Sequence, residues 1–510
     1  MGHGMSATGL MTFKPLIFNQ KSRERPMYDD LNLYIDGEWR AASDKATKPV
    51  TDPAKEETLG TIALATEADI SASLLAAARG FEVWRKTGTW ERAAKIRKVA
   101  DLLRERVDQI AVAMSLETGK PLAEAKGETG AAADQFEWYS EETKRIYGQI
   151  IGSRTRDSRM SVIMQPVGVV AAFSAWNFPA LLPARKIAAA LGAGCSIIIK
   201  PASETPASCV AIIQACHDAG IPNGVVNFVT GNSGLIAAQL IRSPIVRKVT
   251  VTGSIPVGKQ ILALAAEGVK NVSMELGGHG PVVIFEDFDP IEAANICAPT
   301  KFRNCGQVCI SPTRFYVHES NYEAFAGRFA EIAKSLKVGR GMDEGVQVGP
   351  MANRRGLETI QEMTQDAIGR GAELLAGGKI PAGFNKGYYM EPTVLGRVPD
   401  DAMVMTEEPF GPIAPITTFT NYDDVITRAN SLPFGLAGYV FSNNLSLATR
   451  AYEDLELGMV GVNEMLLATA EAPFGGVKES GMGREGGAFG IRDYLDPKYV
   501  KIKLSEMSHG

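Results

Sequence analysis

The segment KFRNCGQVCISPTRF, residues 301–315, places two cysteines four positions apart, Cys305 and Cys309, before an apolar run typical of a strand. A zinc site would need two more Cys or His ligands at suitable spacing, and the other four cysteines are scattered without a C-x-x-C pair. A redox pair would need the loop to bring Cys305 round to Cys309. Cys309 follows Gly306 in a loop before a strand, where a thiol can act as a nucleophile at the floor of a cleft. These residues alone leave the packing, redox and nucleophile hypotheses open.

Polar residues follow three other apolar runs. Asn177 follows GVVAAFSAW, Lys200 ends CSIIIK, and Glu275 lies in NVSMEL. The Asn could donate to a developing oxyanion, or it could cap the next helix. The Lys suits a ribose or phosphate contact, or is a solvated loop residue. The Glu, at a buried strand end, suits a general base, or it could be a structural carboxylate.

The stretch VTVTGSIPVGKQ matches the phosphate loop G-x-x-x-x-G-K from Gly253 to Lys259. A nucleoside triphosphatase needs Ser or Thr next, to hold magnesium, but Gln260 stands there, and Pro256 removes a backbone N–H from the loop. We therefore do not favour that function. What remains is a strand, a Gly253–Ser254 turn and a helix N-terminus that could face a pyrophosphate.

Parallel sheets would bring these positions together. From residue 168 to 277, short β-branched runs alternate with helical patterns, and a second alternation follows through GPVVIF, TRFYVH, APITTF, LAGYVFS and GMVGVN. We predict two α/β domains, with ligands outside the carboxyl ends of the strands. The final PKYVKIKL predicts an edge strand that either completes its own sheet or pairs with another subunit.

Composition limits the partners. At 510 residues the chain should form two or three domains, and 45% hydrophobic with 22% charged residues is typical of a globular protein. The net charge of −5 argues against nucleic acid, and no apolar run is long enough to span a membrane. Six scattered cysteines suit a reducing compartment, so we expect a cytoplasmic protein, and only five histidines predict no metal site.

The chain resembles the aldehyde dehydrogenase family through SAWNFP, KPASETP, TGSIPVG, MELGG, GQVC, EEPFGP and PFGGVKESGMGREGG, in family order over residues 30–503. The resemblance implies an α/β fold with a Rossmann-like cofactor domain, an α/β catalytic domain and a small oligomerisation sheet, in a homodimer or homotetramer. The expected boundaries are 30–147 and 168–276 for the cofactor domain, 277–484 for the catalytic domain, 148–167 and 485–503 for the sheet, and 1–29 for a loosely ordered extension.

The resemblance also implies site residues for the oxidation of an aldehyde to an acid. Cys309 would attack the carbonyl, Asn177 with the Cys309 backbone N–H would stabilise the oxyanion, and Glu275 would activate the water that hydrolyses the thioester. The expected cofactor contacts are Trp176, Lys200, Ser203, Gly231, Gly253, Ser254, Glu408 and Phe410. Cys305 would be a packing residue, and a Cys305–Cys309 disulfide remains a hypothesis.

The cofactor is expected to be NADP or NAD. Three residues after Lys200, where NAD-selective family members often have a Glu, this chain has Ser203. The missing carboxylate removes repulsion against a 2′-phosphate and favours NADP, although Glu204 lies next to it.

Within the family, the chain is most similar to succinate-semialdehyde dehydrogenases. Arg185 and Arg303 match the pair that holds the substrate carboxylate there, although each could instead be structural. Where those enzymes commonly have NEGLISS, this chain has NEMLLAT. Met465 and Ala468 would make this wall of the substrate pocket bulkier and less polar. A glutarate or α-ketoglutarate semialdehyde dehydrogenase, or a broad-specificity enzyme, are the alternatives. The Glu at position 275 favours hydrolysis over transfer to phosphate or coenzyme A, and retention of Cys309 argues against a non-enzymatic role.

Overall fold

The computed structural model describes residue 28 and residues 30–505. The predicted extension, 1–29, lies outside the described residues except for Tyr28. The strands are β1 (Leu33–Ile35), β2 (Glu38–Arg40), β3 (Thr47–Asp52), β4 (Glu57–Ala63), β5 (Gln149–Ile151), β6 (Ser158–Pro166), β7 (Val169–Phe173), β8 (Ser196–Lys200), β9 (Val226–Phe228), β10 (Val246–Thr252), β11 (Asn271–Glu275), β12 (Gly280–Ile284), β13 (Pro312–His318), β14 (Glu373–Ala376), β15 (Thr393–Gly396), β16 (Ile413–Phe419), β17 (Ala437–Phe441), β18 (Met459–Val462), β19 (Gly481–Met482) and β20 (Leu495–Lys503).

The α-helices are α1 (Glu67–Trp84), α2 (Thr89–Glu105), α3 (Val107–Thr118), α4 (Leu122–Glu142), α5 (Leu181–Ala193), α6 (Ala207–Asp218), α7 (Ser233–Arg242), α8 (Ile255–Ala266), α9 (Pro290–Phe302), α10 (Tyr322–Ser335), α11 (Arg354–Gly369), α12 (Met403–Thr406), α13 (Tyr422–Asn430), α14 (Leu445–Asp454) and α15 (Gly487–Gly490). In the described part of the chain, none of the helices is both long and apolar enough to cross a membrane.

The first large sheet has eight strands in the order β19-β11-β10-β7-β8-β9-β1-β2. Its central strands β11, β10, β7, β8 and β9 are parallel, as the alternating pattern predicts. Every residue of β7 and β8 is buried, because helices cover both faces of the sheet. The short strand β19 arrives from the far end of the chain and pairs with β11 in antiparallel orientation. That pairing attaches the C-terminal loops to the strand that ends in Glu275.

The second large sheet has seven strands in the order β14-β15-β16-β13-β12-β17-β18. All its pairs are parallel except β14 with β15. The five predicted runs of the second alternation form β12, β13, β16, β17 and β18. The loop with both cysteines connects α9 to β13, so Cys309 lies just before a central strand of this sheet.

A separate antiparallel sheet has the order β20-β6-β5. The C-terminal strand β20 pairs with β6 along its whole length, from Leu495 opposite Pro166 to Lys503 opposite Ser158. Of the two predicted alternatives for this strand, it completes a sheet of its own chain. Large apolar side chains remain exposed on these strands: Ile150, Ile151, Ile163, Tyr499 and Ile502.

Candidate active site

One cavity of about 580 Å³ brings together most of the predicted site residues. They come from the ends of β7, β10 and β11, the loop before β13, and the segment after α12. Those in its lining are Trp176, Asn177, Gly253, Ser254, Glu275, Cys309, Glu408 and Phe410. A thiol, a carboxylate and an amide thus share one cleft with a helix N-terminus.

The backbone before Cys309 is bent by three consecutive left-handed residues. Asn304, Cys305 and Gly306 have φ of 48°, 56° and 72°. A Cβ at Gly306 would lie 2.1 Å from the backbone oxygen of Gly411, so this loop packs too closely for any other residue there. Such strained conformations cluster at functional sites.

The two thiols of this loop have different surroundings. Cys309 is half-buried and lines the cavity, whereas Cys305 is buried in the core of the second large sheet. Burial raises the pKa of the Cys309 thiol to about 12, and the Arg185 guanidinium acts in the opposite direction. Only Cys309 is placed to meet a ligand in the cavity.

Asn177 is held by a buried network. Its Nδ2 donates to the backbone oxygen of Gln307 at 3.2 Å, which brings the amide beside the Cys309 loop. Its own backbone oxygen accepts from Lys120 Nζ at 2.9 Å, and Lys120 is paired with Glu128. The Glu128 carboxylate in turn accepts from the N–H groups of residues 180 and 181 at the start of α5. An amide nitrogen carries two N–H donors, so one remains for a ligand.

Glu275 is buried, and neither of its carboxylate oxygens has a hydrogen-bond partner. A Cβ added at Gly475 would lie 2.7 Å from Glu275 Oε1, so glycine leaves room for the carboxylate. Burial, and then the neighbouring Glu485 carboxylate, raise the pKa of Glu275 well above its ordinary value. In its ionised form, an unpartnered carboxylate with a raised pKa is a stronger base than an ordinary one and can take a proton from water.

Sequence reasoning assigned no role to several groups around this site. Glu485 lines the cavity, pairs with the buried Lys186, and keeps Oε2 without a hydrogen-bond partner, at 4.0 Å from the Arg185 guanidinium. Lys120 and Glu128 lie before and within α4, far in sequence from the cysteine loop. Of these groups, only Glu485 lies in a sequence motif, GREGG. Lys120, Glu128 and Lys186 do not lie at the end of a predicted strand, so no local pattern identified them.

The cofactor end of the cavity fits a nicotinamide dinucleotide. Ser254 caps α8 without a side-chain hydrogen bond, and Pro256 has no N–H, so the backbone N–H groups of residues 255 and 257 are the ones free to meet a pyrophosphate. The Thr252 hydroxyl is buried without a partner in the same cleft. Glu408 accepts from Gly278 N at 3.1 Å, and burial raises its pKa to about 7. Phe410 packs edge-to-face on Trp176 at 5.5 Å.

Three predicted cofactor residues lie outside this cavity. Lys200 ends β8 opposite Phe173 of β7, and its Nζ donates to the backbone oxygen of Pro201. Ser203 follows in the next loop, and Gly231 follows β9. Because β8 and β9 are the next strands of the same sheet, these residues extend the site along its carboxyl edge.

The two predicted substrate arginines also lie outside this cavity, but each packs on a phenyl ring beside Cys309. The Arg185 guanidinium lies 4.0 Å from the Phe474 ring centroid, and that of Arg303 lies 5.6 Å from the Phe178 centroid. Phe474 belongs to one buried apolar cluster, and Phe178 and Cys309 both pack against that cluster. The Nε atoms of both arginines are buried without a partner. Two cations with unmet N–H groups therefore flank the apolar surroundings of the thiol.

Comparison with known proteins identifies the family. Residues 39–500 match the model described as aldehyde dehydrogenase family. The chain is 43% identical over 471 residues to a glutarate-semialdehyde dehydrogenase of Pseudomonas putida, which covers 92% of this chain and 97% of that protein. It is 42% identical over 481 residues to the succinate-semialdehyde dehydrogenase (NADP(+)) GabD of Escherichia coli, covering 93% and 99%.

A solved structure supports the same assignment. The structure of an aldehyde dehydrogenase of Bacillus cereus in complex with NAD+ superposes with a TM-score of 0.91 at 35% identity, covering 94% of this chain and 98% of that one. The predicted α/β fold and the predicted family are thereby confirmed. The cavity, the thiol it exposes and these matches lead to one conclusion: the chain belongs to the aldehyde dehydrogenase family of NAD(P)-dependent oxidoreductases.

Proposed function

We propose that this enzyme oxidises an aldehyde that carries a carboxylate, with succinate semialdehyde or a close homologue as substrate. The observation behind this proposal is the pair of arginines beside Cys309. Arg185 is a buried cation and Arg303 a half-buried one, the Nε–H of each has no hydrogen-bond partner, and a planar guanidinium suits a carboxylate. The names of the two relatives, which act on succinate and glutarate semialdehydes, support the same substrate class.

Residue roles follow from the geometry of the cavity. The Cys309 thiol loses its proton to solvent, and the thiolate Sγ attacks the aldehyde carbon in the cleft that it lines. The free N–H of Asn177 Nδ2 and the Cys309 backbone N–H stabilise the oxyanion of the thiohemiacetal. The nicotinamide cofactor supplies the hydride acceptor when bound. Glu275 then activates a water that hydrolyses the Cys309 thioester and releases the acid.

We assign the cofactor contacts in the same way. The Gly253–Ser254 turn and the start of α8 hold the pyrophosphate, Glu408 holds the nicotinamide ribose, and Lys200 with Ser203 holds the adenosine ribose. A serine at 203 adds no negative charge beside a 2′-phosphate, which supports NADP as the preferred cofactor. The (NADP(+)) in the name of the Escherichia coli relative agrees with this assignment, and NAD is the alternative.

The length of the semialdehyde depends on the wall formed by residues 465–468, which line one cavity together with Arg303. Met465 is buried in the core of the second sheet, while Leu467 and Ala468 pack against the same apolar cluster as Cys309. This wall is apolar, so a glutarate or α-ketoglutarate semialdehyde remains an alternative to succinate semialdehyde. A broad-specificity enzyme is the third alternative.

The assembly is part of the same proposal. We propose that the first large sheet with α1–α8 is the cofactor domain, the second the catalytic domain, and β5, β6 and β20 the oligomerisation sheet of a homodimer or homotetramer. The exposed apolar side chains of those three strands support this role. All six cysteines are free thiols, which supports a reducing, cytoplasmic location.

The test is the initial rate with a panel of aldehydes, each with NAD and with NADP, followed by absorbance of the reduced cofactor. The panel holds succinate, glutarate and α-ketoglutarate semialdehydes with uncharged aldehydes of equal length. We expect kcat/KM at least about tenfold higher for the carboxylated set, equivalent to one charged hydrogen bond. Equal or faster turnover of the uncharged set would contradict the proposal.

A further inference from the structure

The helix α11 brings a positive charge into the cavity of about 580 Å³ that contains Cys309, which we call the cofactor cleft. Arg355 and Thr359, about one helical turn apart on α11, both line this cleft. Asn353 fixes the start of the helix, because its Oδ1 accepts from the backbone N–H of Gly356 at 2.9 Å. Arg355 takes no part in the catalytic steps or in the cofactor contacts of the proposed function.

Residues that belong to both large sheets line the cofactor cleft, and Arg355 comes from the second. On α8, whose start also lines the cleft, Ile261 and Ala265 are buried in the core on one face of the first large sheet. On α11, Leu357 and Ile360 are buried in the core of the second. A ligand that contacts both helices therefore joins the two sheets.

Two consecutive arginines at the start of α11 have different surroundings. Arg354 Nη2 donates to the Glu56 carboxylate at 2.6 Å, and its guanidinium lies over the Tyr388 ring. Arg355 lines the cofactor cleft and is exposed, so its side chain can reach a ligand there. Within the described part of the chain, no carboxylate lies within 4.0 Å of the Arg355 guanidinium, whereas Arg354 has one. The charge of Arg355 is thus available to a ligand.

Acidic groups outnumber basic ones in the lining of the cofactor cleft. The carboxyl groups of Glu275, Glu408 and Glu485 all line it. Of the described residues in this lining, Arg355 alone is a lysine or arginine. A dinucleotide brings further negative charge on its pyrophosphate, and like charges repel strongly where water is partly excluded. Binding of the dinucleotide therefore favours a cation in this cleft.

The start of α8 supplies few donors for that pyrophosphate. Pro256 has no N–H, and the N–H of Gly258 already donates to the backbone oxygen of Ser254 at 2.9 Å. The N–H groups of residues 255 and 257 remain, and a pyrophosphate has more acceptor oxygens than they can satisfy. A guanidinium adds a full charge and a planar set of N–H donors that fits phosphate oxygens.

We propose that Arg355 is a cofactor-binding residue, whose guanidinium binds the pyrophosphate of the dinucleotide together with the start of α8. The bound pyrophosphate then joins α8 of the first sheet to α11 of the second. The inference rests on the proposed cofactor contacts and adds to them a cation from the second sheet. Because NAD and NADP share the pyrophosphate, Arg355 binds both and does not select between them.

The test is the binding of NAD and of NADP to the enzyme without aldehyde, measured as Kd by calorimetry. Arg355→Gln should raise Kd about tenfold for both dinucleotides, as for the loss of one charged hydrogen bond. Adenosine 2′-monophosphate lacks the pyrophosphate, so its Kd should stay within about twofold. A loss confined to NADP would place Arg355 at the 2′-phosphate, and an equal loss with adenosine 2′-monophosphate would show a general change of the site. Either result overturns the proposal.

The neighbouring arginine offers a matched control. Arg354→Gln removes an adjacent positive charge and its ion pair with Glu56 but no group that lines the cleft. Its Kd values for both dinucleotides should stay within about twofold of those of the wild type. Arg355→Lys keeps the charge and should recover part of the affinity. Equal losses in Arg354→Gln and Arg355→Gln would show an effect of overall surface charge and refute the contact.

Ionic strength gives a second, independent readout. Added salt screens the attraction between an exposed cation and a phosphate. The Kd of the wild type for NADP should therefore rise more steeply with added NaCl than that of Arg355→Gln. Parallel salt dependences in the two proteins count against the contact.

The proposed cofactor contacts and the role of Arg355 fail in different ways. If the wild type binds neither dinucleotide, the cofactor contacts fail and this inference fails with them. If the wild type binds both dinucleotides and Arg355→Gln binds them equally well, the cofactor contacts stand and the role of Arg355 alone is refuted.

Discussion

Replacing Arg303 with methionine tests the carboxylate-binding role most cleanly. Arg303 is half-buried and stacks on Phe178. Among the described residues, no carboxylate lies within 4.0 Å of its guanidinium, so Arg303→Met breaks no ion pair. Arg185→Met is less clean, because Arg185 lies 4.0 Å from the buried carboxylate of Glu485. Loss of that cation would leave Glu485 with Lys186 alone.

The size of the effect follows from the unmet donors of Arg303. A hydrogen bond between charged groups contributes about 1.5–3 kcal/mol, and each 1.4 kcal/mol is tenfold. Arg303→Met should therefore lower kcat/KM for glutarate semialdehyde by about 10- to 150-fold. Most of the loss should appear in KM, because the carboxylate is bound in the ground state and the transition state alike. The kcat/KM of Arg303→Lys should lie between those of the wild type and Arg303→Met, since lysine keeps the charge but lacks the planar set of N–H donors.

The assay is steady-state kinetics on wild type, Arg303→Met and Arg303→Lys, with glutarate semialdehyde and pentanal as a matched charged and uncharged pair. We expect kcat/KM for pentanal to change by no more than about threefold, and the thermal midpoint to stay near that of the wild type. An equal loss with both aldehydes would show that Arg303 shapes the site rather than binds the carboxylate. No loss with either would remove Arg303 from the substrate site.

Four further predictions concern catalysis, the cofactor and stability. Cys309→Ala should abolish turnover and Cys305→Ala should retain most of it, because only the Cys309 thiol lines the cavity; equal loss in both, measured as kcat, contradicts this. Glu275→Gln should keep a single-turnover burst of reduced cofactor but lower steady-state kcat by about 10²-fold or more. Since burial raises the pKa of Glu275, its ionised form accumulates only as pH rises through that raised value; the wild-type rate should climb with pH, and the variant should lose this limb of the pH–rate profile. Ser203→Glu should shift the ratio of kcat/KM values toward NAD by at least about tenfold through repulsion of a 2′-phosphate, and an unchanged ratio would remove this residue from the cofactor site. Lys120→Met should lower the free energy of unfolding by about 3–5 kcal/mol, because its buried carboxylate partner would remain unpaired; an unchanged thermal midpoint would contradict this.

The fold followed from the sequence because its signals are local. A continuous run of β-branched residues such as SIIIK buries all its side chains only in a sheet that is covered on both faces. This run forms the buried strand β8. The polar residues at the ends of those runs, Asn177 and Glu275, could be identified for the same reason. Parallel strands bring their carboxyl ends to the same edge of the sheet. The residues at the ends of adjacent strands therefore share a cleft, however many residues separate them in the sequence.

The sequence by itself thus determined the family, the parallel sheets and the residues that meet in the cofactor cleft. Only the tertiary structure revealed the contact of Lys120 with Asn177 across 57 positions and of Lys186 with Glu485 across 299. It also revealed the left-handed backbone at Asn304 and the room that Gly475 leaves beside the Glu275 carboxylate. Periodicity and propensity record what each segment prefers locally. The partner of a buried charge and the space beside a glycine depend instead on how distant segments pack, which no local pattern encodes.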